Sequence, residues 1–180
     1  MTEPKPFDIL ADAAERYGRA SLDNYAQVRN VAENVQAGFC RYLSGGEKVC
    51  VYLVPPEGAW SPQPYQSGAF SVSGTGFLPL DPISFGLAVR VSRTGDWLRL
   101  VLSCAKMGPE MEITIQNGGQ FSLTLPASPE QLKQLFDLLY GHLTAWFVQQ
   151  ADLYENGEYG GRSIGFDFLH SPNGDSGPVV

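Results

Sequence analysis

Apolar and polar residues alternate most regularly between residues 83 and 125, and this alternation predicts four β-strands joined by three tight turns. A two-residue turn at Thr94-Gly95 would place Val91 opposite Leu98, with further apolar pairs along both strands. Turns at residues 107–110 and 117–119 would extend this pairing to all four strands. A slip of one residue would set apolar against polar side chains, so we expect one continuous buried sheet face.

The same register predicts that the opposite face of the sheet is small and polar. It places Arg90 directly opposite Arg99, and it aligns one row of small residues across four strands (Gly86, Ser103, Thr114 and Ser122). Two facing guanidinium groups repel each other unless an anion lies between them. We therefore predict Arg90 and Arg99 as candidate anion contacts on a shallow binding floor. A solvated sheet face, or a local carboxylate partner for the arginines, is the structural alternative.

Two amphipathic helices flank the predicted strands. Residues 21–43 carry apolar side chains at intervals of three and four, with Ser21 as the predicted N-cap. A shorter helical pattern at residues 7–17 precedes this helix, and Gly18 weakens the helix between them. Residues 129–153 form the second long helix, which Ser128 caps and Pro129 opens.

The predicted fold is therefore a single α+β domain at residues 1–170, followed by a disordered tail at residues 171–180. Both helices pack on one face of an antiparallel sheet of about six strands (48–54, 69–77, 83–93, 97–106, 111–116 and 120–125). Alternation around Ile164 predicts a short final strand or an extended arm. The element order of residues 48–153 resembles the helix-grip fold of the START and Bet v1 ligand binders. That resemblance implies a cavity for an apolar small molecule between the sheet and the C-terminal helix.

Composition narrows the classes of partner. The net charge of −7 disfavours nucleic acid and anionic membrane surfaces as partners. No apolar run approaches the roughly 20 residues of a membrane-spanning helix. Cys40, Cys50 and Cys104 lie in apolar contexts without metal-ligand spacing, so we predict free buried thiols, no metal, no cofactor and a cytoplasmic location.

Several further residues are candidates for function. The long loop at residues 55–68 carries Trp60 and Tyr65, which predict either a lid or partner-binding arm, or a plug for the core. Tyr159 and Arg162 lie in a glycine-containing segment that we predict as a partner-binding arm. Near the same end, three carboxylates could bind a cation or share a proton, with solvated chain ends as the alternative (Asp152, Glu158 and Asp167).

Three functions fit these observations. Because no catalytic constellation is evident, the leading hypothesis is a non-catalytic protein-interaction domain of adaptor, chaperone or immunity type. Its partner would be another protein or a second copy of the chain. The second hypothesis is a helix-grip-like binder of an apolar small molecule. The third is a hydrolase-type enzyme that uses Asp152, Glu158 and Asp167.

Overall fold

The structure is a computed structural model that describes residues 2–46, 49–72, 77–159 and 166–171. It confirms the predicted α+β domain, in which an N-terminal helix precedes an antiparallel sheet and a C-terminal helix follows it. The elements are α1 (Pro6–Ser44), β1 (Val51–Val54), β2 (Ile83–Arg90), β3 (Asp96–Met107), β4 (Glu110–Ile115), β5 (Gln120–Thr124), α2 (Pro129–Glu155) and β6 (Phe166–His170). The strands follow the order β1-β2-β3-β4-β5, and β6 pairs with β3.

Strand β3 organises the sheet because three other strands pair with it. One of its edges pairs with β2 along residues 97–104. Its other edge is shared, with β4 beside residues 102–107 and β6 beside residues 96–100. The final strand expected near Ile164 is therefore present at residues 166–170, whereas Ile164 itself lies outside the described residues.

The predicted register between β2 and β3 is wrong by two residues. Val89, and not Val91, lies opposite Leu98, and Arg90 lies opposite Trp97. The cause is that a four-residue loop replaces the predicted two-residue turn. The Ser92 hydroxyl holds this loop, because it accepts from Asp96 N at 2.8 Å and donates to Asp96 Oδ2 at 2.7 Å. A shift of two keeps every side chain on its predicted face, so the buried face is right although the pairs are not.

The predicted register is correct in one of the other two hairpins and wrong in the other. The β3–β4 register is as predicted, with Cys104 opposite Ile113 and Met107 opposite Glu110 across the turn. The β4–β5 register is again displaced by two residues, so that Ile113 faces Phe121. In that turn the left-handed residue is Asn117, at φ 57°, and not one of the two glycines that follow it.

The predicted strand at residues 69–77 is not formed as a strand in the described residues. Gln66–Ala69 is a short 3-10 helix, and Phe70 makes a single antiparallel bridge with Phe85. Strand β1 already occupies the neighbouring part of the β2 edge, from Val89 to Gly86. Residues 73–76 lie outside the described part of the chain.

Helix α1 is also longer than predicted, because it runs without a break through Gly18 and Ser21. The Ser21 hydroxyl donates to the Gly18 carbonyl at 3.0 Å, so Ser21 bonds back along the helix and does not cap a new one. The helix begins instead after Lys5, where Pro6 is the first helical residue and Asp8 Oδ2 accepts from Lys5 N at 3.3 Å.

Both helices lie on the same face of the sheet, which we call the inner face. The core there joins α1, the sheet and the first half of α2, and its buried members on α2 are Leu135, Phe136, Leu139 and Leu143. The Tyr42 hydroxyl of α1 donates to Asp137 Oδ1 of α2 at 2.6 Å, and this hydrogen bond raises the pKa of Tyr42. No helix in the described part of the chain has both the length and the apolar character needed to cross a membrane.

The cysteines differ from the sequence-based prediction. Cys40, in the last turns of α1, forms a disulfide with Cys50, which directly precedes β1. The bond closes a loop of sequence separation 10 and attaches the end of α1 to the edge of the sheet. Three free thiols were predicted, but only the thiol of Cys104 is free, and it is buried. The sequence around Cys40 and Cys50 does not indicate the bond, because the two cysteines are brought together by the chain reversal between α1 and β1.

Candidate functional site

Arg99 is the centre of the outer sheet face, which is the face turned away from the helices. Its side chain is 7% exposed. Nη1 donates to the carbonyl oxygens of Gly58 at 2.8 Å and Pro55 at 3.1 Å, and Nη2 forms an ion pair with Asp167 of β6. Arg99 thus connects the 55–58 segment, β3 and β6. The local carboxylate considered as its partner exists, and it is Asp167.

Trp60 and Tyr65 extend this outer-face cluster. Both pack against a small buried group made by Val54, Ala88 and Trp97, and the Arg99 guanidinium lies 5.8 Å from the centre of the Trp60 ring. The Tyr65 hydroxyl accepts from Ser61 N at 3.1 Å. Burial of Tyr65 acts to raise its pKa, but its hydrogen bonds with Ser61 and Gln63 lower it overall. The contacts of both aromatic residues are those of a plug over the outer face.

The predicted register placed Arg90 opposite Arg99. The two arginines do not face each other, because the observed register is shifted by two residues. Arg90 is at the end of β2, where Nε donates to the Ser92 carbonyl at 3.1 Å and Nη2 donates to the Arg93 carbonyl at 3.3 Å. Arg99 faces Ala88 instead. The two arginines therefore do not form one anion site.

The outer face does carry a row of polar residues, but the residues in that row differ from the predicted ones. Ser84, Ser103, Thr114 and Gln120 form the observed row, and Gly86 faces Val101. Part of this row lines an open groove of about 590 Å³ whose wall includes Pro56 and Glu57. Four hydroxyl side chains line the groove (Ser71, Ser84, Ser103 and Thr114), and Glu57 is the one charged residue lining it in the described part of the chain.

The three carboxylates of the enzyme hypothesis are differently placed. Asp167 is paired with Arg99. Asp152 and Glu158 are exposed at the end of α2 and just beyond it. Within the described ranges, no group of three or more His, Cys, Asp or Glu side chains is arranged to hold a metal ion. Tyr159 is 90% exposed, with its ring 6.3 Å from that of Tyr154, and Arg162 lies outside the described residues.

The remaining candidates for chemistry are the histidines and Cys104. His170 Nδ1 lies 2.7 Å from Asp96 Oδ1, and hydrogen bonds from Ser92 and His170 lower the pKa of Asp96. The His142 ring packs edge-on against Phe166, and burial lowers its pKa. Desolvation raises the pKa of Cys104 to about 12, so this thiol is held in its unreactive protonated form.

A further group of exposed apolar side chains lies on the first half of α1. We call residues 6–20 the arm, and we call Phe7, Leu10, Ala14 and Tyr17 the arm stripe. These four positions follow each other at intervals of three and four and therefore share one face of the helix. Phe7 is 73% exposed, Leu10 66% and Tyr17 40%.

The arm stripe continues directly into the buried face of the same helix. Beyond Tyr17, spacings of three and four lead to the buried positions of α1 that face the sheet (Ser21, Tyr25, Val28, Ala32, Val35 and Phe39). The arm therefore presents a core-type surface beyond the point where the sheet covers it. The sequence contained this signal, but the assumed break at Gly18 concealed its continuity.

The inner end of the arm stripe is fixed to the rest of the chain. The Tyr17 hydroxyl donates to the Leu78 carbonyl at 2.9 Å, and its ring lies 6.0 Å from the ring of Phe77. Phe77 is itself 68% exposed, and a Cβ on Gly18 would lie 3.3 Å from its ring. Gly18 thus provides the flat contact for Phe77 and does not interrupt the helix.

Comparison with known proteins finds no matching family model, no matching curated protein and no matching solved structure.

Proposed function

We propose that this chain is a non-catalytic protein-interaction domain, of adaptor, chaperone or immunity type, that docks a protein partner through the arm stripe. The carrying observation is the exposure of Phe7, Leu10 and Tyr17 on one face of a regular helix. Large apolar patches on a protein surface commonly mark interaction sites. Helix-in-groove and helix-on-helix docking use anchors at this spacing.

The cost of exposing the arm supports this proposal. A helix of about 15 residues is marginal in water unless its apolar face is packed. Continuation from the buried half of α1 removes the nucleation cost, but the arm stripe itself gains nothing from facing water. A docked partner would cover these side chains at about 1.5–3 kcal/mol for each fully buried one.

The two alternative functions have less support in the contacts. The inner faces of the sheet and α2 fill the space that an apolar ligand would need, with Ile113, Leu123, Leu135 and Leu139 each 0% exposed. A hydrolase built on the carboxylates would need Asp167, which Arg99 already neutralises. In the ranges that the structure describes, neither arrangement offers a converging set of groups around a cleft.

The cytoplasmic location stays a prediction within this proposal. The Cys40–Cys50 disulfide argues against it, because disulfides persist mainly in oxidising compartments. The arm stripe functions in the same way in either compartment, since neither cysteine belongs to it.

A pair of photo-crosslinking variants tests the proposal in the source cells. A photoreactive amino acid replaces Leu10 on the arm stripe in one variant, and Asp12 on the opposite side of the helix in the control. We expect one defined protein adduct from position 10, whether a second copy or another protein, and much less of it from position 12. Equal labelling from both positions, or no adduct from position 10, would contradict the proposal.

A further inference from the structure

The arm stripe carries an exposed aromatic group at each end. Phe7 lies at the outer end, and Tyr17 with its neighbour Phe77 lies at the inner end. Ten residues of α-helix separate Phe7 from Tyr17, which is about 15 Å along the axis. The arm therefore offers an aromatic side chain and, one stripe length away, an aromatic pair against which such a side chain can pack.

We propose that the partner on the arm stripe is a second copy of this chain, with the two arms antiparallel about a two-fold axis level with Asp12. This inference rests on the proposed function of the arm stripe. The axis places Phe7 of each copy against Tyr17 and Phe77 of the other, and Leu10 of each beside Ala14 of the other. A two-fold interface repeats each contact, so a single complementary pair of ends is used twice.

Small residues beside the arm stripe suit this packing. Ala11 borders it on one side and Ala13 on the other, and Ala14 lies within it. Such residues let two helix axes approach to the short end of the usual 8–10 Å range. Helices at that distance can bury Phe7 and Leu10 of both copies between them.

The charge of the arm also favours a second copy. Residues 6–20 hold two basic side chains (Arg16, Arg19) and three acidic ones (Asp8, Asp12, Glu15), so their net charge is 2 − 3 = −1, whereas the whole chain carries −7. Two arms therefore repel each other much less than two whole chains do. Antiparallel packing brings the acidic first half of one arm alongside the basic second half of the other. These charges point away from the stripe, so they bias the orientation of approach and weaken with salt.

The size of the arm limits the expected affinity. Residues 6–20 span about 22 Å, and a standard interface buries roughly 800 Å² on each partner. Phe77, which is 68% exposed and lies beside Tyr17, enlarges the apolar surface at the inner end of the arm. We expect a dimer that separates on dilution, with a dissociation constant on the order of 1–100 µM.

Sedimentation velocity of the purified full chain tests the association. The unaltered chain should change from monomer to dimer over about 1–300 µM, and Leu10→Asp should raise the dissociation constant at least ~10-fold. Ile9→Asp is the matched control, because Ile9 is 58% exposed but lies about 100° around the helix from Leu10. We expect Ile9→Asp to stay within about threefold of the unaltered chain, since it leaves the arm stripe intact. Circular dichroism checks that all three proteins are folded.

Crosslinking of mixed isotopes tests the orientation. A photoreactive phenylalanine analogue replaces Phe7 in an equal mixture of ¹⁴N- and ¹⁵N-labelled chains. We expect mixed-isotope adducts at Tyr17 or Phe77, whereas adducts between the two positions 7 would overturn the antiparallel arrangement.

Two outcomes separate this inference from the proposed function. If the pure chain stays monomeric over the whole concentration range, or if Leu10→Asp dimerises as well as Ile9→Asp, the second copy is not the partner. The proposed function would then survive only if position 10 crosslinks a different protein in cells. If position 10 captures nothing, both proposals fail.

Discussion

The two halves of α1 share one pattern of apolar residues but differ in what covers it. From Ser21 to Phe39 the stripe packs against the sheet and α2, and Val28, Val35 and Phe39 are 0% exposed. From Phe7 to Tyr17 the same stripe is exposed. Periodicity therefore identifies a surface that requires a partner, but it does not identify whether that partner belongs to the same chain.

The described contacts with other elements differ between the two halves of α1. The disulfide between Cys40 and Cys50 and the Tyr42–Asp137 hydrogen bond hold the second half of α1 to the sheet and α2. The first half extends beyond the body, with Tyr17 and Phe77 as its last described contact with other elements. We propose that another molecule covers the arm stripe, and this difference in contacts between the two halves of α1 supports that proposal.

The largest expected contrast is between Phe39→Ala and Leu10→Ala. Phe39 is fully buried, so we expect its truncation to lower the free energy of unfolding by about 3–5 kcal/mol. Leu10→Ala should change it by less than about 0.5 kcal/mol in dilute, monomeric protein, because no core contact is lost. Urea unfolding at low micromolar concentration measures both. A cost above that range for Leu10→Ala would mean that the arm stripe is already covered within the monomer.

A smaller contrast comes from two glycines of α1. A Cβ on Gly38 would lie 2.5 Å from Cζ of Phe136, which is packed against Phe39, so Gly38→Ala should lower stability by about 1–2 kcal/mol. Gly18→Ala should be neutral or stabilise by up to about 1 kcal/mol, because alanine favours helix and the exposed Phe77 ring can move. Thermal unfolding of both variants provides the comparison. A loss of stability for Gly18→Ala equal to that for Gly38→Ala would show that the base of the arm is as tightly packed as the body.

The smallest expected effect is a pH dependence confined to the body. Burial lowers the pKa of His142, so the folded state binds its proton less readily than the unfolded state does. The stability of the folded state is therefore unaffected by protonation of His142 above the imidazole's unfolded pKa of about 6.5, and it declines as the pH falls through that pKa. His142→Gln should reduce this slope in urea unfolding between about pH 5 and 7. The lowered pKa of Asp96 acts in a separate window below its usual 3.8.

A matched arm variant completes the pH comparison. Leu10→Ala should leave the slope unchanged, since the arm contributes no contact to His142. An unchanged slope in His142→Gln would mean that burial of this imidazole has no part in the pH dependence.

Alternation of residue type could predict the faces of the sheet but not all of its pairs. The β3–β4 register was predictable because Gly108, at φ 61°, supplies a two-residue turn that fixes it. The β2–β3 register was not predictable, because the Ser92 side chain turns the two-residue turn into a loop that is two residues longer. Each side chain then stays on the same face of the sheet. Registers that differ by two residues bury the same side chains, so hydrophobicity does not distinguish between them.

The candidate sites depended on contacts between distant parts of the chain. The Arg99–Asp167 pair joins residues 68 positions apart, and no local pattern indicates it. The Cys40–Cys50 bond likewise depends on how α1 meets β1. By contrast, the arm stripe was visible as spacings of three and four, and it was missed because Gly18 and Ser21 were interpreted as helix boundaries. Local propensity at those two positions does not break the helix, which runs from Pro6 to Ser44.

Amide hydrogen exchange as a function of protein concentration tests most directly whether a second copy covers the arm. At about 1 µM, residues 6–20 should exchange quickly, while the buried half of α1 and β3 are strongly protected. At about 300 µM, protection should increase at residues 6–20 and around Phe77, with no change in β3. The Leu10→Asp variant should lose this increase, and Ile9→Asp should keep it. Exchange at residues 6–20 that is the same at both concentrations would contradict the account.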